Sequence, residues 1–385
     1  MKSMKRLQQI HVRGFRRLRD VQLDLRELCV LIGANGSGKT TVLDVFSLLA
    51  ASASGRLKDE VSGAGGLNAN LTADGTREMQ FELSMTIPGH EPLVYQLAMA
   101  PSGVAYEISR ESLTQRNPPR SNPFKHIDSR HGDIHYYKVE DSGLVRPNWE
   151  PNPLETSLAQ VPKMFQEPEV FRSRLASSTY YHVLDVGARA PVRQPQPLRP
   201  ADLPGRDGED LVSCLFNLRE TDRDRFEAIE DTLRAGFSDF ARLDFPPVAA
   251  GTLAMTWRDK NFAHPLFMHQ LSEGTLRFLW LVTLLQSPGL TAVTLIDEPE
   301  VSLHPELLSL LADLMREAST RTQLIVATHA DRLVRFLEPK EVAVMDLNED
   351  GTAKATWADE FDLDEWLREY TLDEVWRMGR VGGRP

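Results

Sequence analysis

Leu28-Cys29-Val30-Leu31-Ile32-Gly33-Ala34-Asn35-Gly36-Ser37-Gly38-Lys39-Thr40-Thr41 is the stretch that decides the fold of this 385-residue chain. Residues 33–40 match G-x-x-x-x-G-K-[ST], the pattern of a phosphate-binding loop. The apolar run before it suits a short buried strand. Val42-Leu43-Asp44-Val45-Phe46-Ser47-Leu48-Leu49 after it carries apolar positions at helical spacing. A strand, a glycine-rich turn and a helix N-terminus together form an anion site, because backbone N–H groups converge there and the helix dipole favours negative charge. Gly33, Asn35, Gly36, Ser37 and Gly38 would build the cradle, the glycines allowing angles and an approach that a side chain blocks. Lys39 is expected to reach the β- and γ-phosphates of ATP, Thr40 to hold Mg²⁺ through its hydroxyl, and Thr41 to join the nucleotide contacts.

The far end of the chain narrows the chemistry. Thr291-Ala292-Val293-Thr294-Leu295-Ile296 has a buried-strand pattern and ends in Asp297-Glu298. Asp297 is placed to hold Mg²⁺ through water, and Glu298 to orient or deprotonate an attacking water. A Glu directly after the Mg²⁺ Asp is a hydrolase arrangement; a kinase would need a second substrate site. The plainer reading is an acidic helix start. Upstream, Ser272-Glu273-Gly274 opens an apolar helix and would offer a hydroxyl and backbone N–H groups at its N-terminus, although Ser272 alone reads equally as a helix cap. Downstream, Leu324-Ile325-Val326-Ala327-Thr328-His329 is a second buried strand. A lone His at a strand end, such as His329, is usually a satisfied structural residue.

In this order the motifs resemble those of the ABC superfamily, and in particular the RecF-like and OLD-like ATPases, relatives of the SMC and recombination-repair ATPases. Ile10-His11-Val12-Arg13-Gly14-Phe15-Arg16-Arg17-Leu18 is similar to that group's opening strand with its F-[RK] pair. The resemblance continues through Glu209-Asp210-Leu211-Val212, then LSEGTLRFL at 271–279, LIDEPEVSLHP at 295–305 and LIVATHA at 324–330. Leu372-Asp373-Glu374-Val375-Trp376 and Gly382-Gly383-Arg384-Pro385 resemble the closing segment of a small stand-alone subgroup.

The resemblance implies an α/β fold, an ABC-type P-loop ATPase head with a mixed sheet, an antiparallel β lobe and a helical lobe bearing the signature. It implies ATP and Mg²⁺ as ligands, with Lys39, Glu298 and His329 as catalytic residues. Arg16 and Arg17 would lie near adenine and ribose. Ser272, Glu273 and Gly274 would complete the site in trans, in an ATP-dependent homodimer. The signature departs from the Ser-Gly-Gly-Gln of transporters, and His304 stands where a transporter has a D-loop Asp; both departures resemble the RecF-like and OLD-like branch. Gln80 is the nearest candidate for a Q-loop glutamine, and equally a strand residue facing solvent. Only about 35 residues follow the last core strand, too few for the Toprim-like nuclease domain of OLD proteins.

Phosphate loop and signature lie about 230 residues apart, with no sustained heptads between them, so the SMC coiled coil is not expected. The spacing suggests a nucleotide-binding lobe over 1–109, an irregular insert over 110–206 and a C-terminal lobe over 207–385. Strands are expected at Met79–Met85, Leu93–Leu97 and Val104–Ile108. The insert reads as irregular apart from a helix around Phe165–Leu175 and a strand at Tyr180–Val183, with an extended loop over Ala190–Pro197. Leu211, Leu215, Leu218 and then Phe226, Ile229, Leu233, Phe237 mark two amphipathic helices.

Composition, at 41% hydrophobic, allows a large core. No apolar run reaches the length of a membrane span, and the basic start Met1–Arg6 lacks a signal peptide's apolar core, so a cytoplasmic location is expected. Cys29 and Cys214 read as buried free thiols. A net charge of -11 weighs against a dedicated DNA binder. Within 101–200, Arg110, Arg116, Arg120, Lys125 and Arg130, interleaved with Phe124, Tyr136 and Tyr137, form either a local basic face or an ordinary solvated surface. His126, Asp128, His131, Asp133 and His135 are ligand types, but their spacing matches no zinc pattern. The partners to expect are DNA, in repair, recombination or defence against phage and plasmids, or a separately encoded nuclease or toxin. A transporter subunit is disfavoured by the long spacing and the signature.

Overall fold

The computed structural model describes residues 6–116, 122–138 and 142–382. At its centre is a six-stranded sheet in the order Ser178–Tyr181, Val293–Asp297, Gln323–Ala327, Leu28–Ile32, Val342–Leu347, Ala353–Trp357. The first five strands are parallel neighbours and the last adds antiparallel at the edge. A parallel sheet is covered on both faces, which is why its strands read as unbroken apolar runs. All five residues of Leu28–Ile32 are buried.

Alternation along each strand divides the core in two. Leu28, Val30 and Ile32 face helices Leu211–Thr221, Arg223–Gly236, Glu273–Gln286 and Leu307–Ser319. Cys29 and Leu31 face helix Lys39–Ala53 and, beyond it, a second sheet. That helix is enclosed between two sheets and is buried around most of its circumference.

The second sheet is antiparallel throughout, in the order Leu18–Asp24, Leu7–Phe15, Met79–Ile87, His90–Ser102, Ala105–Gln115, Phe124–Arg130, Asp133–Lys138, Gly143–Val145. The three expected strands are present and longer than expected. The irregular reading of residues 110–145 is corrected: strand Ala105–Gln115 runs through the boundary at 109/110, and three more strands extend the sheet. Few apolar residues, such as Ile127, Ile134 and Tyr136, are buried there, and polar and charged residues between them dilute the apolar signal. Helices lie at Gln166–Ala176 and at the two amphipathic stretches, and a strand lies at Ser178–Tyr181.

Glu111 fastens the later part of the insert to this sheet. Its buried carboxylate accepts from the N–H groups of Ser157 and Leu158 at 2.5 and 2.8 Å and from the Tyr95 hydroxyl at 2.9 Å. Beside it Thr156 donates to the carbonyl of Ser52 in the phosphate-loop helix at 2.7 Å. Arg120, Met1–Lys5 and the Gly383–Pro385 end of the closing segment lie outside the described residues. Among the described residues no helix is long and apolar enough to cross a membrane.

Candidate nucleotide site

The C-terminal ends of three adjacent parallel strands deliver the site. Leu28–Ile32 leads into the glycine-rich loop, Val293–Asp297 ends on its carboxylate, and Gln323–Ala327 leads to Thr328 and His329. This is the edge at which open α/β sheets bind ligands.

Within the loop, Gly36 and Gly38 have positive φ of 76 and 104°, and Gly38 caps helix Lys39–Ala53. Two glycines also meet a packing demand that the motif alone does not express. A Cβ on Gly33 would lie 2.0 Å from the carbonyl oxygen of Met345, and one on Gly38 would lie 3.1 Å from Leu18 Cδ2. Asn35 and Gly36 form the exposed tip.

Lys39 Nζ donates to the carbonyls of Gly33 and Ala34 at 2.8 and 3.0 Å. Burial lowers its pKa to about 8, with Glu298, Asp297 and Glu300 pulling the other way. Ser37 Oγ is buried with no hydrogen-bond partner among the described residues. An ammonium resting on the loop's own carbonyls and an orphaned hydroxyl beside it suit an anion that the loop can wrap.

Thr40 Oγ1 lies 3.5 Å from Asp297 Oδ1. Mg²⁺ is characteristically held by one or two carboxylates with substrate phosphates and water, and this hydroxyl–carboxylate pair fits such a role. The Tyr180 hydroxyl donates to Asp297 Oδ2 at 3.1 Å. Burial raises the Asp297 pKa, opposed by the bond from Tyr180. Glu298 adopts φ 47°, a strained left-handed conformation for a residue with a side chain, while its N–H donates to the carbonyl of Ala327 at 2.8 Å. Its Oε1 is 3.5 Å from His329 Nε2. Burial, then the nearby Lys39 charge, lowers the His329 pKa, with Glu298 and Asp297 pulling the other way.

Three residues of the site escaped the sequence. Glu300 Oε1 accepts from the Thr328 hydroxyl at 2.6 Å and from the N–H groups of His329 and Ala330 at 3.1 and 3.2 Å, so it shapes the turn carrying His329. Its other oxygen is buried without a partner among the described residues, and burial raises its pKa. Tyr180 reaches Asp297 from the next strand, His182 follows just past that strand with its ring 4.0 Å from that of Tyr180, and nothing in the local sequence marks that strand as the neighbour.

The signature starts the helix Glu273–Gln286. Ser272 is its N-cap, accepting from the Thr275 N–H at 3.1 Å. Ser272 and Glu273 are exposed. A Cβ on Gly274 would lie 2.5 Å from the carbonyl oxygen of Ser302, so this glycine lets the helix approach the loop after Asp297 within the same chain. Arg277 bonds Ser302 Oγ and lies 3.7 Å from Glu273.

The two arginines of the opening turn differ. Arg16 donates to Asn70 Oδ1 at 2.9 Å and pairs with Asp44 of the phosphate-loop helix. Arg17 is exposed, and its guanidinium carbon lies 3.9 Å from where a Gly36 Cβ would stand, beside the loop tip. Gln80 sits on the exposed face of its strand, bonded to Glu78 at 2.7 Å. Of the basic face, Lys125 is paired with Asp128 at 2.6 Å, and Tyr136 belongs to the core. His126, Asp128, His131, Asp133 and His135 lie on two paired strands and their turn; among the described residues no three metal-ligating side chains converge. Cys29 and Cys214 are free and buried, and burial raises their pKa to about 12 and about 11.

Fold and site together have the architecture of a P-loop nucleotide-binding head. Residues 28–335 match the family described as "AAA domain, putative AbiEii toxin, Type IV TA system", and the chain belongs to that family. Solved structures share its fold. The Smc head bound to the C-winged helix domain of ScpA aligns over 94% of this chain and 99% of its own, at 15% identity and a TM-score of 0.55. An Smc head with an extended coiled coil, bound to the C-terminal domain of ScpA derived from Pyrococcus furiosus, aligns over 95% and 99%, at 12% identity and a TM-score of 0.55. No curated protein matches the sequence.

Proposed function

We propose that this chain hydrolyses ATP to ADP and phosphate and works as a switch, closing into a homodimer around ATP and reopening on hydrolysis. The observation that carries this reading is the meeting of Lys39, Thr40, Asp297, Glu298 and His329 at one sheet edge, while Ser272 and Glu273 stand exposed at a helix N-terminus. Lys39 leaves the loop carbonyls for the β- and γ-phosphates. Thr40 and Asp297 would hold Mg²⁺, which would supply charge neutralisation for the triphosphate. Glu298 orients the attacking water and accepts its proton, and His329 donates to the γ-phosphate. Arg17, exposed beside the loop tip, is the better of the two arginines for a ribose or base contact. The exposed N-terminus of the signature helix faces the γ-phosphate of a second copy, adding donors where negative charge develops.

The effector role follows two lines. The RecF-like resemblance supports a DNA transaction, in repair or in defence against phage and plasmids. The family description, with its putative AbiEii toxin and type IV TA system, supports instead a toxin–antitoxin setting, in which this ATP-gated chain works with a separately encoded protein partner. The net charge of -11 favours the second.

Glu298→Gln keeps the shape and removes the base, so Mg²⁺ and ATP still bind and the closed dimer accumulates. Adding Ser272→Arg puts bulk and charge at the face that meets the opposite phosphate, and the dimer is lost while ATP binding by each monomer persists. Light scattering after gel filtration, with and without Mg-ATP, reads both. A Glu298→Gln protein that stays monomeric at saturating ATP sinks the dimer reading.

A further inference from the structure

Ser272 owes its place to a segment distant in sequence. Arg193 Nη1 donates to the carbonyl of Leu271 at 2.9 Å and lies 3.3 and 3.5 Å from those of His269 and Met268. These carbonyls form the turn that delivers the chain to Ser272. Arg193 Nε donates back to the carbonyl of Val186 at 2.6 Å. Leu184, Val186 and Val192 are buried in the core, so the guanidinium projects from a fixed base. Leu184 also accepts from Arg277 of the signature helix at 3.3 Å. Just before this segment, Tyr180 holds the Asp297 carboxylate. One stretch of chain thus touches the Mg²⁺-binding carboxylate at one end and the approach to the signature at the other.

We propose that Arg193 is the positioning residue of the signature: it gathers the carbonyls of Met268, His269 and Leu271 and thereby sets where Ser272 meets the γ-phosphate of ATP held by a second copy of this chain. The proposal rests on the dimer reading above. A planar guanidinium presents several donors in a fixed fork and can serve several carbonyls at once; an ammonium is a point charge that cannot hold the same geometry. Arg193 touches no nucleotide and acts only through the turn.

Arg193→Met and Arg193→Lys, each combined with Glu298→Gln, test this. With Mg-ATP, light scattering should show the dimer dissociation constant raised by about a hundredfold for Arg193→Met and by less for Arg193→Lys. Binding of a fluorescent ATP analogue to the monomers should match the parent. In the wild-type background the protein concentration that gives half-maximal hydrolysis should rise by a similar factor, because the weakened contact is already made in the ATP-bound dimer. If Arg193→Met does not fold, Arg193→Lys decides by the same measurements. A dimeric Glu298→Gln parent whose Arg193 variants dimerise as tightly overturns the proposal alone. A monomeric parent overturns the dimer reading and the proposal with it.

Discussion

Lys39 carries a charge that the folded protein holds less tightly than water does. Its pKa of about 8 lies below the roughly 10.4 of free lysine. The folded state therefore disfavours the ammonium, and stability lost to that effect below about pH 8 is regained as pH rises toward about 10.4. Nucleotide binding runs the other way. Phosphates favour the ammonium, so above about pH 8 ATP must bind together with a proton, and its dissociation constant should rise by up to about tenfold per pH unit. Calorimetric titrations in two buffers of different ionisation enthalpy should show proton uptake above that pH and none near neutrality. An affinity flat across this range would contradict the role of Lys39. Glu298 offers a second test. Its left-handed backbone costs about 1 kcal/mol or more for a glutamate, and the charge sits next to Asp297. Asn tolerates this conformation better. Glu298→Asn should therefore melt higher than the parent, by about 1 kcal/mol of stability, while hydrolysis is lost. A variant that melts lower would show that the strain is not stored there. The motif residues were legible one by one, because each chemistry demands a residue type at a fixed spacing. Glu300 was not, since its role is to satisfy N–H groups some 30 residues away in sequence.

At the scale of elements, the parallel strands were plain from sequence and the later antiparallel strands were not. Every residue of Leu28–Ile32 and all of Val293–Ile296 are buried, so both read as buried runs. In the strand Phe124–Arg130 only three of seven residues are buried, two of them polar, and it reads as a polar stretch. The insert beyond it depends on Glu111. Glu111→Ala would leave two buried N–H groups and the Tyr95 hydroxyl without an acceptor, at about 3 kcal/mol or more. Thermal denaturation should register that loss, and limited proteolysis should open first around residues 150–160. Unchanged melting would mean that the carboxylate is not the pin.

At the scale of the whole molecule, charge and partner choice meet. The acidic balance of -11 opposes association of separate monomers with DNA, and Lys125 is already neutralised by Asp128. Titration of a labelled duplex at two salt concentrations should show no binding by the nucleotide-free protein at physiological salt. Any binding should require a non-hydrolysable ATP analogue and weaken as salt rises. Tight, nucleotide-independent binding would favour the DNA reading over the partner reading.

The sequence by itself determined the α/β class, the glycine-rich loop between strand and helix, the Asp297-Glu298 pair at a strand end, His329 after the next strand and the two helices before Ser272. Each is a local pattern set by backbone chemistry, by period, or by the residue types that phosphate and Mg²⁺ require. Only the tertiary structure decided which strands are neighbours, and with that Tyr180 and Glu300 at the site, Gly33 against the Met345 carbonyl, Gly274 against Ser302, and Arg193 beneath the signature. Those contacts join residues tens to hundreds of positions apart, and their partners are groups, mostly backbone carbonyls and N–H, that every residue type carries. A composition or a spacing cannot single out such partners; packing at close range does.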